Sequence, residues 1–129
     1  MSEGEFILYN TEDGRTQVQL RAVDGSVWLA QAGIAELFDT SKQNVSLHLR
    51  NIFKDGELRQ DSVVKDSLTT AADGKAYRTK LYSLDMILAI GYRVRSERGT
   101  QFRRWANTVL KEYMVKGFVM DDERLKDPA

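Results

Sequence analysis

The sequence predicts an α+β fold of the winged helix-turn-helix type, with short antiparallel strands and a C-terminal pair of core helices. Three patterns support this prediction. Residues 5–29 alternate apolar and polar side chains, residues 29–55 follow a helical period, and residues 62–82 are strand-like again. The chain has 129 residues, 42% of them apolar, and a single proline, as expected of one globular domain. We therefore expect a single DNA-binding domain over residues 1–129.

A β hairpin is the first predicted element, over residues 5–29. An apolar run at 6–9 and an alternating segment at 16–20 flank a turn. Asp24-Gly25 then separates the second segment from residues 26–29. Asp-Gly between alternating segments is a strong hairpin signal, because glycine accepts the positive φ of the turn. Two or three antiparallel strands are expected here.

Residues 29–55 are predicted to form a helix-turn-helix. The first helix covers 29–38, and its small residue Ala35 lies where the two helices would cross. Ile34, Phe38 and Val45 are the apolar residues expected to fix the angle between them. Asp39 occupies the turn position where glycine is common, which departs from the ideal pattern.

The second helix is expected from residue 41 to about 53, capped by Thr40 with Gln43 completing a capping box. Its outer, N-terminal side carries polar and cationic side chains of the types that bind base edges and phosphates in a major groove. These predicted DNA contacts are Ser41, Lys42, Gln43, Asn44, Ser46, Arg50 and Lys54. The alternative is an ordinary helical hairpin with a solvated outer face.

A wing hairpin is predicted over residues 62–82, with its turn at Asp73-Gly74. Lys75, Arg78 and Lys80 lie on the turn and the returning strand, where they would contact phosphates or enter the minor groove. The alternative is an edge strand that its cations protect against aggregation.

The C-terminal helices are expected over residues 83–117, ending at Gly117 before an acidic tail at 118–129. Ser83 is predicted to cap the first of them. In the last helix an apolar stripe begins at Phe102, and Arg103 and Arg104 face away from it. They are predicted to line a second phosphate-binding surface with the nearby residues Arg93, Arg95 and Arg98, unless they form only a solvated face.

Charge is distributed unevenly although the formal net charge is zero. Residues 1–39 carry a net charge of −5, residues 40–116 carry +7 and residues 117–129 carry −2. The positive middle segment contains every predicted DNA contact. Such asymmetry is typical of nucleic-acid binding, although solvated surfaces are also often patchy.

Several function classes are poorly supported. The chain has no cysteine and one histidine, His48, so a metal site or a Ser-His-Asp triad is hard to build. Neither a Walker loop nor a dinucleotide fingerprint is present. We expect no enzyme, no cofactor and no metal. Without a membrane-length apolar run or a secretory signal, we expect a cytoplasmic protein that does not engage a membrane.

Six segments carry a resemblance to a known family: VWLAQ (27–31), AELF (35–38), NIFKDGEL (51–58), LTTAADGK (68–75), GYRV (91–94) and RGTQFRRWA (98–106). In these runs the chain resembles the RhuM family, bacterial proteins labelled virulence proteins. Because family members are usually longer, the resemblance implies an N-terminal domain whose C-terminal effector domain is missing from this chain. Ala30 stands where the family often has threonine, which weakens the first helix cap.

The C-terminal half also resembles, more loosely, the Bro-N type domain of phage antirepressors, through its Phe102 to Trp105 spacing. That resemblance implies DNA binding and a mobile-element origin. We therefore expect sequence-specific binding of double-stranded DNA, in transcriptional or antirepressor-type regulation. The alternative is a protein-interaction module that docks or sequesters another regulator or a C-terminal effector domain. A homodimer remains open, since no dedicated dimer helix is evident.

Overall fold

The computed structural model describes residues 5–70, 72–112 and 114. The strands are β1 (Glu5–Asn10), β2 (Gln17–Val23), β3 (Ser26–Ala30), β4 (Val64–Thr70) and β5 (Ala76–Ser83). The helices are α1 (Gln31–Phe38), α2 (Lys42–Lys54), α3 (Gln60–Val63), α4 (Leu84–Val94) and α5 (Glu97–Trp105), and α5 continues into a π-helical turn (Ala106–Leu110). The α+β class predicted from the sequence is confirmed. Tyr113, Gly117 and the predicted acidic tail lie outside the described residues.

All five strands belong to one antiparallel sheet, in the order β1-β2-β3-β5-β4. The pairing of β3 with β5, where Leu29 lies opposite Tyr82, joins the three-stranded meander β1-β2-β3 to the β4–β5 hairpin. The predicted wing is therefore the edge of a larger sheet. Its first strand begins at Val64 instead of residue 62, because residues 60–63 form the helical turn α3.

One face of this sheet forms the core with the helices. Val18, Leu20, Leu29 and Tyr82 alternate toward that face and pack with buried helix residues such as Phe102. Each apolar side chain buried in this way contributes roughly 1.5–3 kcal/mol to stability. The core thus holds α1, α2, α4 and α5 on one side of the sheet.

One predicted helix start and one predicted capping bond differ from the structure. Leu29 lies in β3 instead of beginning α1, because it pairs with β5, and the N-cap of α1 is Ala30 without a side-chain hydrogen bond. Ser83 occupies the N-cap position of α4, but its side chain makes no capping bond. The backbone N–H of Leu84 instead donates to Oγ of Ser26 on the neighbouring strand, at 3.4 Å.

Glycines allow α1, α4 and α5 to approach closely. A Cβ atom on Gly99 would lie 2.7 Å from the carbonyl oxygen of Gly91, and one on Gly91 would lie 2.7 Å from Cζ of Phe38. Such distances leave no room for alanine without a shift of the helices. Across the described ranges, no helix is both long enough and apolar enough to cross a membrane.

Candidate nucleic-acid interface

The turn between α1 and α2 is short and has a left-handed residue. Asp39 has φ 55° and ψ 53°, the region that favours glycine, which explains why glycine is common at this position. The backbone N–H of Thr40 donates to the carbonyl of Ala35 at 2.9 Å, which closes the turn. Asp39 therefore adopts the left-handed backbone conformation that glycine would adopt at this position.

Ser41, not Thr40, caps α2. Its Oγ accepts a hydrogen bond from the backbone N–H of Asn44 at 3.0 Å. The predicted Thr40 cap and capping box are wrong, because the helix begins one residue later and Gln43 is then only its second residue. The Gln43 side chain consequently makes no hydrogen bond to any residue the structure describes, and it is exposed.

The residues predicted to fix the helix crossing are buried as expected. Ile34 and Val45 are fully buried, and Phe38 and Ala35 are nearly so. Leu49 and Ile52 complete the inner side of α2. With this apolar side held against α1 and α4, the opposite side of α2 faces solvent.

Three of the predicted base-reading residues are used by the protein itself. Ser41 is the helix cap, and Asn44 donates from Nδ2 to Oγ1 of Thr40 at 2.8 Å. Oγ of Ser46 accepts from Nε2 of Gln31 at the start of α1. The Gln31–Ser46 contact joins α1 to α2, and the other two fix the start of α2 against the turn, so Ser41, Asn44 and Ser46 contribute to the structure of the helix pair.

The remaining predicted residues of α2 project outward. Lys42, Gln43, Arg50 and Lys54 are all exposed and form no side-chain hydrogen bond or ion pair within the described part of the chain. Leu47, which sequence reasoning missed, is 44% exposed on the same side. Its position, four residues after Gln43 and three before Arg50, is the signal that could have placed it there.

The cations of the β4–β5 hairpin also project outward. Lys75, Arg78 and Lys80 are exposed and have no side-chain partner among the residues described. Because side chains alternate along a strand, Arg78 and Lys80 share a face with the core residue Tyr82. The two cations therefore lie on the helix side of the sheet, beyond the segment of β5 that pairs with β3.

Two C-terminal arginines are instead held by carboxylates. Arg98 binds Asp13 at 3.0 Å and donates to the carbonyl of Glu36 at 2.8 Å. Arg93 binds Glu57 at 2.9 Å and Asp55 at 3.4 Å. Arg93 and Arg98, predicted to line a phosphate-binding surface, thus have anionic partners within the fold.

The Asp13 carboxylate is stabilised in its ionised form. Its pKa is well below the ordinary value, first because the Thr11 hydroxyl donates to it, then because of the backbone N–H of Arg15 and the Arg98 guanidinium. The contact between Asp13 and Arg98 joins the β1–β2 turn to α5. This cluster is consequently part of the scaffold.

Arg103 and Arg104 have different neighbours in the structure. Nη1 of Arg104 lies 4.0 Å from a carboxylate oxygen of Glu12, whereas Arg103 lines a cleft between α2, α4 and α5. The guanidinium of Arg103 lies 5.0 Å from the ring centre of Tyr92. The structure thus separates two neighbours in sequence that we predicted to act together.

His48 also lines this cleft. Its pKa is below the ordinary value, chiefly because of burial and secondly because of the nearby Arg93. In the described residues its Nδ1 atom has no hydrogen-bond partner, and no three His, Asp or Glu side chains are arranged to hold a metal ion.

The C-terminal half of the chain matches a known protein family. The family model described as the virulence protein RhuM family matches residues 62–129, just over half of the chain. The match includes the β4–β5 hairpin, α4 and α5. No curated protein and no solved structure matches significantly.

Proposed function

The chain belongs to the virulence protein RhuM family, and we propose that it binds double-stranded DNA in a sequence-specific manner. The observation that carries this proposal is the outer face of α2. Gln43, Leu47 and Arg50 are adjacent and exposed there, on a helix whose other side is fixed by the core. A rigid helix with unpartnered polar side chains fits a major groove.

Each exposed residue has a distinct role in this proposal. Gln43 is suited to bidentate hydrogen bonding with adenine, and Arg50 to guanine or a phosphate. The exposed Leu47 side chain suits contact with a thymine methyl group. Lys42 and Lys54, near the two ends of the helix, would bind backbone phosphates and set its register on the duplex.

In this proposal the β4–β5 hairpin acts as the wing of a winged helix-turn-helix. Its cations lie on the helix side of the sheet, so Arg78 and Lys80 can bind phosphates of the same duplex that α2 reads. These contacts strengthen binding to every sequence alike. The biological role that fits is transcriptional or antirepressor-type regulation rather than catalysis.

The test begins with selection of bound fragments from a random duplex library, followed by titration of the selected duplex by fluorescence anisotropy. Arg50→Ala should weaken binding roughly tenfold or more, as loss of a base or phosphate contact of this kind does. Gln43→Ala should change the preferred base at one position.

Arg15→Ala is the matched control, because Arg15 is also exposed but lies in the β1–β2 turn. It should leave the affinity unchanged. The proposal would be rejected if no duplex were enriched, or if Arg50→Ala and Arg15→Ala had the same effect.

The second candidate is a protein-interaction module that docks a regulator or a C-terminal effector domain. The observation that favours it is apolar exposure on β1, where Phe6 is 57% and Leu8 51% exposed. Both alternate away from the core residues Ile7 and Tyr9. Association with a separately produced C-terminal effector domain of a longer family member, measured for the wild type and for Leu8→Ser, tests this candidate, which predicts weaker association for the variant.

A further inference from the structure

A cleft of about 660 Å³ opens between α2, α4 and α5. Four of the eight residues lining it are cationic or can become so, namely Arg93, Arg95, Arg103 and His48. Among the residues described, none of its lining side chains is a carboxylate. The cleft is therefore suited to an anion.

The three arginines do not contribute equally. The charge of Arg93 is offset by its ion pairs with Asp55 and Glu57. Arg95 makes no side-chain hydrogen bond or ion pair with described residues, and Arg103 has only the ring of Tyr92 as a partner. Two positive charges are thus left uncompensated in the cleft.

The backbone of Arg95 is in an unfavourable conformation. At the end of α4 this residue has φ 58° and ψ 42°, where glycine is the usual residue. A residue with a Cβ atom is strained in this conformation, and such strain is typical of functional positions. The strained backbone at Arg95 therefore favours a function for its side chain.

The cleft also contains a hydroxyl group and an imidazole that can donate hydrogen bonds. Thr100 is exposed in its lining, and the His48 imidazole also lines it, with its Nδ1 atom buried and without a hydrogen-bond partner among the described residues. Two guanidinium groups, a hydroxyl and an imidazole match the oxygen acceptors of a phosphate group.

We infer that this cleft binds a phosphate group through Arg95 and Arg103, and that the group is a backbone phosphate of the duplex. The second half of this inference rests on the proposed function. His48 lies on the side of α2 next to Leu47, so the cleft flanks the proposed reading face. A helix in a major groove has a phosphate backbone on either side, and the cleft would take one of them.

His48 is the chain's single histidine, so its imidazole signals in an NMR spectrum can be assigned without ambiguity. We would titrate the full chain with inorganic phosphate, and with chloride at equal ionic strength, and follow these signals. Phosphate should shift them and raise the pKa of His48, because a bound anion favours the imidazolium form. Chloride should not.

The variants are Arg95→Gly, Arg103→Gln and their combination. Arg95→Gly removes the charge while supplying the residue that the backbone conformation favours, so it should fold at least as well. The double variant should lose the His48 response. For the double variant, the slope of log DNA-binding constant against log salt concentration should be smaller in magnitude by about two, roughly one for each lost phosphate contact. Arg103→Lys should restore part of the response, and Arg15→Gln should match the wild type.

The outcomes separate the two proposals. A His48 response with no loss of DNA affinity in the double variant would overturn the duplex as the source of the phosphate and support a free phosphate ligand. A His48 response in a protein that binds no duplex would reject the proposed function and leave the cleft as a phosphate site. If His48 did not respond and the double variant bound DNA like the wild type, the inference would be wrong.

Discussion

The cations of the outer α2 face and those of the α4–α5 region differ in what surrounds them. Lys42, Arg50 and Lys54 project from α2 with no anionic partner in the described structure. Arg93 and Arg98 instead bind carboxylates from distant segments and have side chains only 29% and 11% exposed. Residue type alone therefore does not identify a binding surface in this protein. Cations with a structural partner stabilise the fold, whereas cations without one remain available for a ligand.

Arg98→Ala should give the largest loss of stability in this comparison. The variant breaks charge-assisted hydrogen bonds to Asp13 and to the Glu36 carbonyl, and we expect a loss of about 2 kcal/mol in the free energy of unfolding. Urea denaturation measures this loss. DNA affinity of the folded protein should be unchanged, and a stable variant with weakened DNA binding would reverse the assignment of Arg98 to the scaffold.

Lys80→Ala should lower the affinity for DNA and leave the free energy of unfolding nearly unchanged. Under the proposed function Lys80 binds a phosphate, so its loss should weaken binding to all duplexes by a common factor and reduce the slope of log affinity against log salt concentration by about one. Anisotropy titrations at several salt concentrations, with selected and scrambled duplexes, test this expectation. A change of preferred sequence would instead mean that Lys80 contacts bases.

The acid sensitivity of the protein should depend on Asp13. Because the pKa of its carboxyl is lowered in the folded state, the ionised form stabilises the fold above the ordinary pKa of aspartate, about 3.9. This stabilisation is lost as the pH falls below that value. Asp13→Asn should therefore be less stable than the wild type at pH 7, and the difference should shrink toward pH 2. Thermal unfolding across that range measures it, and a constant difference would contradict the account.

Arg50→Ala should have the smallest effect on stability. An exposed side chain without a partner contributes little, so its free energy of unfolding should stay within about 0.5 kcal/mol of the wild type. Parallel urea titrations test this. A larger loss in the free energy of unfolding would show that Arg50 stabilises the fold and does not belong to the proposed DNA-contacting face of α2.

Local patterns explain what the sequence could predict. Asp24 and Gly25 both have positive φ, as the Asp-Gly turn requires, and the alternation through β2 places Val18 and Leu20 in the core. Ala35 at the helix crossing is likewise a property of short-range spacing. These features depend on residues close together in the chain.

Features that depend on distant residues could not be predicted. Asp13 and Arg98 are 85 positions apart, and nothing in their local sequence indicates that they meet. The pairing of β3 with β5, which joins the β1-β2-β3 meander to the β4–β5 hairpin, is another case. The cleft is a third, because His48 and Arg103 come together only when α2, α4 and α5 pack.

Amide chemical shifts of the protein, recorded with and without its selected duplex, test the central claim most directly. We predict that the largest changes fall on α2 around Gln43, Leu47 and Arg50, followed by the hairpin around Arg78. Changes confined to the β1 surface around Phe6, or no change at saturating duplex, would contradict a DNA-reading face on α2.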